Sequence, residues 1–322
     1  MRPEQRLAQR IVDMNGLEPP IDIRAIINEF ADVEEAKLPA NLDAILIRTA
    51  SARLRPKIIL NPSPHGNRQR FTLSHELAHL RLPWHIGTVW CHTDWANQVD
   101  EGIHLATEDE ANWFAASLLM PPSWLRVIAN TDVEIDEKFR SVLTADVSPQ
   151  AAAISLFDVM PPGFAYAIVS SSSQTVIQAG KSRNTAVDKM WRNTTFSDAF
   201  YQGTSNRHFT IECGWACIHL WSFATSVEMP TFADGILSKN VLREIVTEVL
   251  RSQEQQSQAQ KSISAITGAA FGEYEATSAK QLLSILGQKF IRRDGVVAMC
   301  AEHPRFPEYL ARRADELFRK RL

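Results

Sequence analysis

His75 and His79 stand four residues apart in the run Arg70-Phe71-Thr72-Leu73-Ser74-His75-Glu76-Leu77-Ala78-His79-Leu80. On a helix that spacing puts both imidazoles on one face, where they can reach a single metal ion. Glu76 follows His75 by one residue, about 100° round the helix, beside such an ion rather than on it. A carboxylate there suits a base that takes a proton from an attacking water, the mechanics of the H-E-x-x-H zinc peptidase pattern. Leu73, Leu77 and Leu80 supply an apolar face to hold the helix down, and Pro83 stops it.

Two imidazoles do not complete a catalytic metal site; a third ligand is expected from a second element. Residues 108–121 offer it. Thr107 is placed to cap a helix there, acids fill its first turn, and Pro121-Pro122 closes it. Glu108, Ala111, Asn112 and Ala115 share one face with small residues, which lets this helix lie close against the first. Glu108 is therefore the expected ligand. Glu110, pointing about 200° away, is the fallback.

These two stretches resemble the ImmA/IrrE family of metallopeptidases. The resemblance rests on Arg70–Leu80, followed by Glu108, Ala111-Asn112, Phe114-Ala115-Ala116 and Leu118-Leu119-Met120-Pro121. It extends over roughly residues 5–165, with Pro20-Ile21-Asp22 opening a helix and strands at Leu42–Ile47 and Lys57–Asn61. It implies a zincin-like, zinc-dependent endopeptidase acting on small helix-turn-helix repressors, often switched on by DNA damage or by phage and other mobile-element stress. It places metal ligands on His75, His79 and Glu108 and the general base on Glu76. Ala78 stands where the family commonly has Gly, a change a helix tolerates.

The positioning elements can be read in order. Residues 4–14 form an amphipathic helix through Leu7, Ile11 and Met14, and residues 22–30 a second one capped by Asp22. Short strands follow near Val33, at Ala44–Arg48 and at Lys57–Leu60, and one edge of their sheet is available to hold a substrate backbone. The connection 84–107 is long and carries Trp84, His85, Trp90, Cys91, His92, Trp95 and His104. Cys91 is the residue to watch, since a thiolate in a fourth coordination position would hold such an enzyme off; a buried free cysteine is the plainer reading. His85, His92 or His104 could steady a tetrahedral intermediate, although surface histidines are the default.

Beyond it, Pro122–Ala129, Glu137–Leu143 and a helix capped by Ser148-Pro149 and running to Met160 have the spacing of a helix-turn-helix. The last of them carries no Arg or Lys for phosphates, so it reads as a packing helix. Pro161-Pro162-Gly163 marks a boundary. Phe164–Ser170, Gln174–Ala179 and Phe209–Phe223 are strand-like, with Cys213, Cys217 and His219 on one face of the last. That collinear set is a poor tetrahedral cage, and core packing is favoured. Helices follow from about 240 to 263, the latter part Gln-rich, then at Ser262–Gly272, Ser278–Gln288 and Glu308–Lys320.

The fold class expected is α+β. It comprises a peptidase domain with a small sheet at 1–121, a helical segment at 122–160, and a C-terminal sensor domain at 161–322. The sensor domain would be α/β, GAF-like as in some members of the family, plus helices. Composition is ordinary for a globular protein, with 45% hydrophobic and 22% charged residues. Four cysteines do not make a disulfide framework, and the charged N-terminus lacks a signal peptide's apolar core, so a cytoplasmic location is expected. No apolar run is long enough to span a membrane. Net charge is −3, split as about −7 over residues 1–160 (15 Lys+Arg against 22 Asp+Glu) and about +4 over the rest (19 against 15). A nucleic-acid partner for the second half is allowed, single-stranded DNA as activator among them, with Trp191, Arg192, Tyr201, Arg207 and His208 as candidate stacking and phosphate groups. The rival to a zinc peptidase is a non-cleaving transcriptional regulator whose metal site is structural or vestigial.

Overall fold

The structure is a computed structural model. It describes residues 1–39, 42–48, 54–64, 66–85, 101–232, 235–291 and 293–320, the side chains of 101–105 excepted. The protein is α+β, and the chain divides into two compact units, Met1–Met160 and Pro161–Leu322.

The first unit opens with α1 (Pro3–Asn15), which Gly16 ends in the left-handed conformation at φ 58°. A short α2 (Ile23–Ile27) follows, capped by the Asp22 side chain on the Ala25 N–H. Strands β1 (Asp32–Glu35), β2 (Ala44–Ile47) and β3 (Lys57–Leu60) form a sheet in the order β1-β3-β2, with β1 parallel and β2 antiparallel to the central β3. Against it lies α3 (Gly66–Arg81), and against α3 lies α4 (Glu101–Leu119). The pairing is close because Ala78 of α3 and Ala111 and Ala115 of α4 are fully buried, with Leu77, Phe114 and Leu118 filling the space around them. Each large apolar side chain so buried contributes about 1.5–3 kcal/mol.

Helix α4 starts two turns before the expected cap at Thr107. Between Glu101 and Thr107 only Gly102 disfavours a helix, and it sits at the start, so Thr107 is interior and Glu108 is held by helical backbone on both sides. Helices α5 (Pro122–Ala129), α6 (Ile135–Leu143) and α7 (Pro149–Val159) then pack on one another. Ser148 caps α7 through its hydroxyl on the Ala151 N–H, and α7 buries Ala152, Ala153, Leu156 and Phe157.

The second unit begins with an antiparallel sheet of β4 (Phe164–Ser170), β5 (Val176–Lys181), β6 (Arg207–Glu212) and β7 (Ala216–Ser222), ordered β5-β4-β7-β6. The stretch 209–223 is thus a hairpin and not one strand. Gly214 at φ 64° lets the chain reverse, and the Cys213 N–H donates to the Ala216 carbonyl. Helices α8 (Ser238–Val249), α9 (Gln253–Glu273), α10 (Ala279–Phe290), α11 (Gly295–Ala301) and α12 (Phe306–Arg319) follow. The Gln-rich stretch lies in the first half of α9, after a break at Leu250–Ser252 that the hydrophobic periodicity does not signal.

Candidate metal centre

One turn of α3 presents His75 and His79, and they are deeply buried, as is Glu76 between them. Their Nε2 atoms stand 3.0 Å apart. Glu108 reaches across from α4, with Oε2 3.1 Å from His75 Nε2 and Oε1 3.4 Å from His79 Nε2. In a tetrahedral site with bonds of about 2.0–2.1 Å, ligand atoms stand about 3.3 Å from one another. The three groups make such a face. Glu108 Oε1 is buried without a hydrogen-bond partner among the described residues, an orphaned acceptor of the kind a cation satisfies. Two imidazoles and a carboxylate are also the donor set that suits zinc. The residues present fit a divalent metal.

The backing of each imidazole fixes its tautomer. His75 Nδ1 lies 3.0 Å from Asn112 Oδ1, so Nδ1–H donates there and Nε2 carries the lone pair that faces the centre. His79 Nδ1 lies 3.0 Å from His85 Nδ1, and His85 Nε2 lies 2.9 Å from Glu110 Oε2. Protons are consistently placed if His79 Nδ1–H donates to His85 and His85 Nε2–H donates to Glu110. The same Glu110 oxygen accepts from Trp84 Nε1–H at 2.5 Å. His85 is thus neither on the surface nor in the coordination face: it is buried behind His79 and aims it. Glu110 serves this relay and not the coordination face.

Electrostatics follow from that arrangement. Burial favours the neutral form of His75, yet contact with Glu108, the charges of Glu76 and Glu108 and the Asn112 bond outweigh it, and its pKa is raised. At His79 burial prevails, aided by the charges of His75 and His85, and the pKa is lowered. Burial alone would raise the Glu108 carboxyl, but the two imidazoles hold it well below the usual carboxylate range. It is therefore ionised, as a metal ligand must be.

Arg48, at the end of β2, is a positioning residue that sequence patterning does not reveal. Its guanidinium donates to the carbonyl of His79 and, at 2.6 Å, to that of His85. It meets the negative end of α3 and ties the sheet to the metal helix. Beside His75, a cavity of about 470 Å³ is lined by Phe71, Asn112, Trp113, Leu119, Met120 and Ile154 among others.

Of the other candidates, Cys91 and His92 lie outside the described residues, as does the side chain of His104. In the second unit Cys213 sits in the hairpin turn, away from the strand face it was expected to share with Cys217 and His219. Tyr201, a candidate stacking residue, is buried and donates its hydroxyl to the Asp188 carbonyl, whereas Trp191 is exposed.

Two histidines on one helix and an acid on the next, backed by a small sheet, form a group that could hold a metal ion between two helices. Residues 31–156 match the family Peptidase_M78, described as an IrrE N-terminal-like domain. That segment holds all the residues of the centre. The segment is similar to an IrrE N-terminal-like domain, which supports the likeness to ImmA/IrrE metallopeptidases seen in the sequence. Among curated proteins none matches. Among solved structures, the chain is similar to a Mycobacterium tuberculosis transcriptional regulator at 13% identity and a TM-score of 0.41, over 68% of this chain and 75% of that one. Among the described residues, no helix is long and apolar enough to cross a membrane.

Proposed function

We propose that the chain is a zinc-dependent endopeptidase that cleaves a small helix-turn-helix repressor and so releases a stress or anti-phage response. The observation that carries the reading is the convergence of His75, His79 and Glu108 at 3.0–3.4 Å with Glu76 buried alongside. When bound, zinc would supply Lewis acidity to the water and to the scissile carbonyl. Glu76 would take the proton of the attacking water and pass it to the leaving amine. Asn112 and His85 would keep the two imidazoles turned toward the centre throughout. The edge strand β2, which Arg48 ties to α3, is the natural place for an extended substrate to add as a strand, and the cavity beside His75 would take an apolar side chain.

The second unit would receive the signal. Its net +4 and the exposed Trp191 next to Arg192 support single-stranded DNA as that signal. The test is to incubate the protein with the small helix-turn-helix repressor encoded beside it, with and without single-stranded DNA and a chelator. Discrete fragments that the chelator abolishes are expected. An intact repressor in every condition, with stable binding to it, would favour the non-cleaving regulator.

A further inference from the structure

A second constellation of metal-binding character lies in the C-terminal sheet, in no part of the IrrE-like segment. His208 on edge strand β6 and His219 on β7 sit diagonally on the same sheet face, His219 opposite Thr210 and His208 opposite Trp221. His208 Nε2 lies 3.0 Å from His219 Nδ1, and Asp198 Oδ1 approaches that same Nδ1 at 4.0 Å. All three ligand atoms fall within 4.8 Å of one another. A four-coordinate ion with bonds of about 2.0–2.1 Å asks for ligand atoms about 3.3 Å apart. Asp198 is exposed, so its carboxylate is free to turn about its side-chain bonds and close the remaining gap of about 1 Å.

The scaffold is firmer than the exposure of Asp198 suggests. His208 stacks on Trp221 with ring centroids 4.8 Å apart and planes 8° apart, and His219 lies 4.1 Å from the Phe196 ring. Asp198 opens the short 3-10 turn Asp198–Tyr201, and Tyr201 anchors that turn on the core by packing edge-on against Trp221 and Phe223. Two imidazoles can meet at 3.0 Å as donor and acceptor with no ion. At 4.0 Å, Asp198 Oδ1 is beyond hydrogen-bond reach of His219 Nδ1, so that carboxylate faces the imidazole pair as a charge and not as a bonded partner. One cation satisfies all three groups.

We propose that Asp198, His208 and His219 form a second site for a first-row divalent cation of the zinc class, one that clamps the 198–201 turn to the edge of the sheet. Two imidazoles and one carboxylate are borderline donors suited to Zn²⁺, Co²⁺ or Ni²⁺, and less to Mg²⁺ or Ca²⁺. The site is independent of the proposed peptidase centre.

The test titrates the full chain with ZnCl₂ against a chromophoric chelator, and with CoCl₂ while watching the visible bands of tetrahedral cobalt. Two equivalents are expected for the wild type, one for His79→Ala, one for His208→Ala and none for the double variant. His208 is exposed on an edge strand, so its removal does not endanger the fold; Asp198→Asn, also at the surface, should weaken the same equivalent. Hydrogen exchange of the 198–201 amides should slow on adding zinc to His79→Ala and not to the double variant. Should His79→Ala bind nothing, or should His208→Ala leave the stoichiometry and the exchange unchanged, the site is refuted. If the N-terminal centre is instead the one that fails to bind, His79→Ala will match the wild type while His208→Ala still loses an equivalent.

Discussion

Replacing His85 with Phe tests how the centre is held. The ring is of similar size and the site is buried, so packing is largely kept. The Arg48 bond goes to the backbone carbonyl of residue 85 and survives. What disappears is the nitrogen 3.0 Å from His79 Nδ1 and the link from there to Glu110. His79 is completely buried, so its Nδ1–H finds no water in exchange, and the imidazole loses both its fixed tautomer and the polarising carboxylate behind it. Losses of this kind behind a metal-bound histidine cost about 10–100-fold in affinity, or about 1.4–2.7 kcal/mol. Zinc affinity by chelator competition should fall by that factor, with stoichiometry at the centre unchanged at saturation. Glu110→Gln should cost less, because His85 still accepts from His79. Unchanged affinity in His85→Phe, or a larger loss in Glu110→Gln, would refute the relay.

Two predictions concern the second unit. Gly163 has φ 102°, and a methyl there would meet Thr225 Cγ2 at 2.5 Å and the Phe223 carbonyl at 3.0 Å, so Gly163→Ala should destabilise by roughly 1–3 kcal/mol, read as a lower Tm; an unchanged Tm would contradict the backbone geometry. Glu308 bonds Arg305 and the buried Arg312, and its pKa is lowered chiefly by its bond to Arg305. A depressed carboxylate stabilises above the ordinary carboxylate pKa and loses that effect as pH falls below it, so the Tm gap between wild type and Glu308→Gln should be full at pH 6 and shrink below about pH 4.5. A gap that does not change with pH would contradict the assignment.

What the sequence made legible was set by how local the determinants are. The His75–His79 face follows from one helical turn, and strands β2 and β3 are bounded by turn residues. The partnership with Glu108 was accessible because small residues mark the face of α4 that meets α3. His85 could not be placed, because its role depends on the turn after α3, where its N–H donates back to the Leu82 carbonyl and swings the ring behind His79. Arg48 was equally hidden: its partners lie 31 and 37 residues away. Thr107 has the residue type of a cap but lies inside α4, because the stretch before it is helical despite Gly102. The 209–223 hairpin is hard to see in the sequence because its turn, Cys213-Gly214-Trp215, is short and carries Gly214 as the lone turn signal between two strand-like runs. His208 and His219 then came together by register, which composition does not encode.

The most direct measurement is made on Glu76→Gln, with zinc content and repressor cleavage followed in the same preparation. Gln keeps the shape of the side chain and removes the base, so the variant should hold as much zinc at the His75/His79/Glu108 centre as the wild type while cleavage falls by about 10²–10⁴-fold. Cleavage at the wild-type rate, with zinc retained, would contradict the assignment of Glu76 as the base and the hydrolytic mechanism built on it.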